Sequence, residues 1–249
     1  EEVELASDSL WGLGVVAIEE RVVAGGVELW TSVGDDVERV DLPWRWRFEE
    51  VDPAVADTWR AHARPIQVED DLVVQPAWVT YDAPVGTTVL VIEPGSTFGM
   101  GDHPTTQLTL RALRPWVRAG TRVLDVGCGS GVLAIGAMSF GAASAVGIDI
   151  APAAVHVTRA NSATNGVHVE VSTTPLEEVD GEFDLVVANI LAPALVALAP
   201  HLQRVLAPGG TLVVSGILQE AHAHVLAALA PLQVVATDAM DGWVAVTLR

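Results

Sequence analysis

Apolar residues along this chain follow mixed helical and strand periods at first, then settle near residue 95 into a regular alternation of strands and helices. In the first part, Leu10, Leu13, Ala17 and Ile18 stand at helical spacing and predict a helix over 9–20. Residues 27–33 and 44–51 alternate and predict strands, with turn signals at Gly25-Gly26 and Gly34-Asp35-Asp36. Asp52 followed by Pro53 predicts a capped second helix over 53–63. The expected organisation is a small α+β domain over 1–63, a linker with short strands over 64–94, and a larger domain over 95–249. One of the linker strands is expected over 87–92.

In the larger domain the pattern predicts a helix over 105–117, a strand over 121–125 and a helix over 131–140. Next come a strand over 145–149, a helix over 151–165 and strands over 167–171 and 184–188. A helix over 193–206 is stopped by Pro208-Gly209-Gly210, and a strand over 211–215 and a helix over 218–229 follow. Two last strands, near 232–237 and 243–248, have no helical pattern between them. Most strands are apolar throughout, as in a sheet covered on both faces. The expected fold class is α/β, a doubly wound, mostly parallel sheet ending in an antiparallel hairpin.

Charge sharpens the division. The chain has 249 residues, 50% of them hydrophobic, with a net charge of -19, and all 13 basic residues are arginine. Residues 1–82 hold 19 of the 32 acidic side chains and six of the eight tryptophans: Trp11, Trp30, Trp44, Trp46, Trp59 and Trp78. That concentration describes a separate lobe or a solvated acidic face. Such a surface repels phosphate backbones, so no direct nucleic-acid partner is expected, and it attracts basic proteins. The single cysteine, Cys128, excludes an intramolecular disulfide and suits a reducing compartment, so a cytoplasmic location is expected. No run of 18 apolar residues predicts a membrane span, and no signal-peptide pattern opens the chain. A few native residues are expected to precede Glu1. Metal is not expected: there is no HExxH or cysteine cluster, and His222 and His224 do not share a helix face.

The densest chemistry lies in Asp125-Val-Gly-Cys-Gly-Ser-Gly131, between a predicted strand and a predicted helix. Such a turn brings a ligand against backbone N–H groups, with more of them free in the first turn of the helix. Asp149, ending the next strand, is placed to accept hydrogen bonds from a ribose diol. Together these features describe a pocket for an adenosine-bearing cofactor. Asp125 either binds a cationic group, directly or through water, or anchors the turn by accepting backbone N–H bonds. Cys128 is a candidate nucleophile at a helix start, against which stands the lack of an identifiable His or Asp partner in the sequence. The glycines read GxGxG, and Val132 stands where a dinucleotide fingerprint requires glycine. Asn189 ends a third strand at the same edge and either faces the pocket or caps the next helix. The glycine-rich stretch 93–106 is suited to close over a ligand, while its Thr105 or Thr106 equally serves as a helix cap.

Three segments, in this order and spacing, resemble the ribosomal protein L11 methyltransferases: Glu93-Pro-Gly with Phe98-Gly-Met-Gly-Asp-His-Pro-Thr-Thr106, Val123-Leu-Asp-Val-Gly-Cys-Gly-Ser-Gly131, and Ala188-Asn-Ile-Leu-Ala192 with Ser215-Gly-Ile-Leu218. The resemblance implies a seven-stranded methyltransferase sheet, a substrate-recognition role for the N-terminal domain, and S-adenosyl-L-methionine as cofactor. It implies cofactor contacts from Phe98, Thr105, Thr106, Asp125, Gly127, Gly129, Gly131, Asp149, Ile150 and Asn189, with Asn189 also catalytic. The implied substrate is the basic ribosomal protein L11, methylated on its α-amine and lysine amines. Two positions depart from the family pattern: Met100 replaces a threonine, and Asp102 stands where histidine or threonine is expected. The competing readings are a methyltransferase for another protein or a small amine, a non-catalytic binding protein that keeps the cofactor fold, and a nicotinamide dehydrogenase.

Overall fold

The computed structural model describes residues 3, 5–6, 9–10, 19–23, 26–31, 42–49, 60, 62–95 and 97–249. The chain forms two compact units, Glu1–Ala61 and His62–Arg249.

In the first unit, β1 (Glu19–Val23) and β2 (Gly26–Trp30) pair antiparallel, with Val23 opposite Gly26. The helix expected over 9–20 ends earlier, because Glu19 and Glu20 already belong to β1; Ser9 and Leu10 are helical, and 11–18 lie outside the described residues. The expected strand over 27–33 is β2, and its residues 32–33 lie outside the described set. Residues 44–49, expected as a strand, are irregular. Alternation records which way side chains point but supplies no pairing partner. Here Arg47 bonds Glu28 at 3.1 Å and Glu49 at 2.8 Å, and Trp46 meets Phe48 edge-on at 5.1 Å. Of the helix expected over 53–63, Arg60 and His62 have 3-10 conformation, Ala63 is irregular, and the rest lies outside the described residues.

The second unit opens with a three-stranded sheet of β3 (Ile66–Glu69), β4 (Leu72–Pro76) and β5 (Thr88–Ile92). β4 runs antiparallel to β3 and parallel to β5. Then follow α1 (Pro104–Leu113), β6 (Arg122–Val126), α2 (Val132–Ser139), β7 (Ser144–Ile148), α3 (Pro152–Thr164) and β8 (Glu170–Ser172). The chain continues with β9 (Phe183–Asn189), α4 (Ala192–Arg204), β10 (Leu206–Leu218), α5 (Ala223–Ala228), β11 (Val234–Met240) and β12 (Trp243–Leu248). Seven strands form one sheet in the order β11-β12-β10-β9-β6-β7-β8. Every strand is parallel except β12, which runs against both neighbours. The final hairpin expected from the sequence is therefore present.

Boundary differences have local causes. α1 gives way at Leu113 to a 3-10 turn, Arg114–Trp116, because Pro115 has no N–H to continue the helix. β8 is short because Val167 N–H bonds back to Ser162 O and Val169 N–H to Ser162 Oγ. Pro208-Gly209-Gly210 does not stop a helix. α4 has already ended at Arg204, and the tripeptide lies inside β10 at a register break between Leu206 and Thr211. β10 then runs to Leu218, so α5 is shorter than the helix expected over 218–229.

The central strands bury both faces. Val123 of β6 with Leu185 and Val187 of β9 joins one apolar cluster; Leu124 with Val186 and Ala188 joins another. The first cluster includes Leu108 and Leu110 of α1, Ile135 of α2, and Leu90 and Ile92 of β5. The second includes Leu195 and Leu202 of α4 and Val225 of α5. A period-2 strand covered by helices on both sides leaves its carboxyl end as the open edge for a ligand.

Candidate active site

Strand pairing brings three segments to one level. Val126 of β6 lies beside Ile148 of β7 and Ala188 of β9. The next residue on each segment is Gly127, Asp149 or Asn189. This is the switch point of the sheet, where β7 and β9 depart to opposite sides of β6.

The turn after β6 is held from several directions. Gly127 and Cys128 both donate to Ile148 O, at 2.8 and 3.1 Å, and Gly131 donates to Cys128 O at 2.7 Å. Gly127 has φ +74°, and a Cβ there would collide with Ile190 Cγ2. Gly129 has φ +53°, and a Cβ there would lie 2.6 Å from Phe98 O. Both positions demand glycine, by conformation and by crowding. The helix N–H groups expected to be free are partly used: Ala134 donates to Asp125 Oδ2 at 3.1 Å and Val132 to Ser130 Oγ at 3.4 Å.

Asp125 does anchor this segment, but with one oxygen only. Its Oδ1 is fully buried and has no hydrogen-bond partner among the described residues. Burial pushes the carboxyl up to about 7; the Ala134 N–H opposes the rise and nearby Asp149 adds to it. Asp149 lies one residue beyond β7 and is partly exposed. Its Oδ2 accepts from Gly129 N–H and its Oδ1 from Ala151 N–H, each at 2.9 Å. Each carboxylate oxygen keeps further acceptor capacity. Ile150, next to it, is 90% exposed.

Asn189 does not cap α4: Leu191 holds the N-cap position without a side-chain bond, and a proline stands in the first turn. Among the described residues, no hydrogen bond engages the Asn189 side chain. It lies beside Ser215 of β10, whose hydroxyl donates to Val244 O at 2.8 Å.

Neither threonine caps α1. His103 does so through Nδ1, which accepts from Thr105 N–H at 3.3 Å and meets Thr105 Oγ1 at 2.8 Å. Burial pulls the His103 pKa below its ordinary value, with Asp102 opposing. The ring meets Phe98 and Trp243 edge-on at 5.3 and 5.0 Å. Phe98 is half-exposed, whereas Thr105 and Thr106 are buried, and Thr106 Oγ1 has no hydrogen-bond partner among the described residues. Cys128 is buried, its Sγ is 3.6 Å from Thr158 Oγ1, and burial raises its thiol pKa far above the ordinary value. The nucleophile reading therefore falls.

Sequence reasoning missed the residues that join stretch 93–103 to the turn. Ser130 N–H donates to Phe98 O at 3.0 Å and Ser130 Oγ to Gly99 O at 2.6 Å. Asn161 of α3 completes the join, while Thr158 of the same helix holds the turn alone, donating to Gly129 O at 3.0 Å. Spacing of 158, 161 and 165 on one face of α3 was the available signal. Among the described residues, no cluster of three or more His, Cys, Asp or Glu is placed to hold a metal, and no helix is long and apolar enough to cross a membrane.

The sheet order with its one reversed strand, the glycine turn after β6 and the carboxylate after β7 define a class I S-adenosylmethionine-dependent methyltransferase fold. A family model described as ribosomal protein L11 methyltransferase matches residues 38–249. The chain belongs to the ribosomal protein L11 methyltransferase family. It is 47% identical over 171 residues to the ribosomal protein L11 methyltransferase of Geobacter metallireducens, covering 69% of this chain and 57% of that relative. The Symbiobacterium thermophilum protein of the same name is 44% identical over 208 residues, 82% of this chain and 68% of the relative. Among solved structures, a ribosomal protein L11 methylase from Lactobacillus delbrueckii subsp. bulgaricus matches with TM-score 0.71 at 32% identity, covering 75% of this chain and 98% of that one. A Thermus thermophilus 16S rRNA methyltransferase, at 21% identity and TM-score 0.52, shares the fold.

Proposed function

We propose that this chain acts in the cytoplasm as a protein N-methyltransferase, moving methyl groups from S-adenosylmethionine to the α-amine and lysine amines of ribosomal protein L11. One observation carries the reading: Gly127, Asp149 and Asn189 stand side by side at the switch point, with acceptor capacity unspent at Asn189 and at the buried Oδ1 of Asp125. A glycine cradle beside an unspent carboxylate oxygen fits a ligand that is both nucleoside and cation. When bound, the cofactor supplies a methyl group on a positively charged sulfur.

The chain's own residues divide the work. Asp149 accepts hydrogen bonds from the ribose hydroxyls with the lone pairs left beyond its two N–H partners. Asp125 faces the cationic part, directly or through water, and that charge keeps its carboxyl ionised. Gly127, Gly129 and Gly131 keep the turn clear of side chains, while Phe98, Thr105, Thr106 and Ile150 make the remaining contacts. Asn189 accepts an N–H of the incoming amine on its side-chain oxygen and aims the lone pair. Alignment and proximity then supply most of the rate. The amine must be neutral to attack. An α-amine, with a pKa near 8, needs less help than a lysine near 10.4, and water takes the proton.

In this reading residues 1–63 recognise the substrate, 64–94 link, and 95–249 hold the cofactor. The acidic excess of the first segment suits a basic ribosomal protein. Mass spectrometry of purified L11 incubated with this chain and S-adenosylmethionine tests the proposal. Methyl increments on amines are expected; unmodified L11 beside a chain that binds the cofactor would reject L11 as substrate.

A further inference from the structure

Asn161 lies within α3 and is 2% exposed. Its one side-chain amide makes three hydrogen bonds. Oδ1 accepts from Glu93 N–H at 2.9 Å, while Nδ2 donates to Glu93 O and to Ser130 O, each at 2.9 Å. Both amide hydrogens are thus committed. Glu93 opens the stretch 93–103, and Ser130 lies in the turn 127–131. Asn165, one helical turn later, grips Val91 in the same two-sided way, accepting from its N–H at 2.8 Å and donating to its carbonyl at 2.7 Å. Its third bond differs, going to Asn161 O at 2.8 Å and not to the turn. α3 and its C-cap residue therefore carry two clamps of like chemistry on one strand and its extension, and only the clamp within the helix reaches the glycine turn.

We propose that Asn161 is a positioning residue for cofactor binding, setting the separation between the stretch 93–103 and the turn 127–131 through one planar amide. This rests on the proposed function above. A planar amide fixes its two donors and its acceptor in one plane, so the two segments cannot shift without breaking one of the three bonds. Ser130 reinforces the same separation through Phe98 O and Gly99 O. A binding site holds its ligand well only when such supporting contacts fix it to within about half an ångström.

The test compares the wild-type chain with Asn161→Asp and Asn165→Asp, by calorimetric titration with S-adenosylmethionine and by thermal unfolding. Each variant keeps one acceptor and sets a carboxylate oxygen against the carbonyls its amide served, so both melting temperatures are expected to fall, further for Asn161→Asp because Asn161 is buried and Asn165 only partly so. Asn161→Asp is expected to bind about tenfold more weakly and Asn165→Asp within about twofold of wild type. Equal affinity losses, or an unchanged Asn161→Asp, overturn the proposal. Hydrogen exchange on the wild-type chain gives a reading that does not depend on variant folding. Saturating cofactor should slow exchange at Glu93 and Ser130 together; protection of Ser130 with Glu93 unchanged overturns the proposal. A wild-type chain that does not bind the cofactor removes the proposed function and this inference with it, whereas binding with matched variants removes this inference alone.

Discussion

Ala134 N–H donates to Asp125 Oδ2 at 3.1 Å, and the other oxygen of that buried carboxylate has no partner among the described residues. The start of α2 is thereby anchored by a group whose charge burial disfavours. Its pKa rises from 3.8 to about 7, so the folded chain binds this proton more tightly than the unfolded chain. The sign follows: the group opposes folding increasingly as pH climbs from about 4 to about 7, by ~4 kcal/mol in full. Asp125→Asn keeps an acceptor for Ala134 and loses the charge. Urea unfolding is expected to find the variant more stable than wild type at pH 8 and equal near pH 4. Calorimetry should show cofactor binding lost.

Replacing Asn189 with alanine separates chemistry from binding. Its side chain makes no hydrogen bond among the described residues, so the fold loses little. Transfer to L11 is expected to slow about a hundredfold through lost alignment, with cofactor affinity within about twofold. Initial rates and titration measure the two. A full-rate variant would remove Asn189 from the catalytic step.

Gly129→Ala forces a side chain onto positive φ and against Phe98 O. A loss of ~1–3 kcal/mol in unfolding free energy is expected, together with failure to bind the cofactor. Unfolding that matches wild type would show that the turn relaxes away from Phe98.

Cys128 should behave as an inert thiol. Burial raises its pKa and Thr158 is its hydrogen-bonding neighbour, so a thiol-specific reagent at pH 8 is expected to label the chain only after unfolding. Cys128→Ala should keep most of its transferase rate. Rapid labelling of the native chain would contradict the buried placement.

The alternating strands and helices of the larger domain were legible because apolar runs and glycine turns are local signals. The positions of Asp149 and Asn189 followed from their places at strand ends. Three things were not legible. Asn161 reaches Glu93 and Ser130, which are 68 and 31 positions away, and the polar spacing of 158, 161 and 165 marks a face without naming either partner. His103 caps α1 although serine, threonine, asparagine and aspartate are the usual capping residues, so the adjacent threonines drew the expectation. Residues 44–49 alternate like a strand, but ion pairs and ring contacts occupy them instead of a ladder.

β12 follows β11 in the chain yet lies between β10 and β11. During synthesis β11 emerges before the edge it joins, because among the described residues its pairing strand is β12. The open side of β10 stays unpaired for the same interval. Folding of this half of the sheet must wait for a later segment to insert, leaving a nascent chain with a bare strand edge that chaperones or neighbouring polypeptides can reach first.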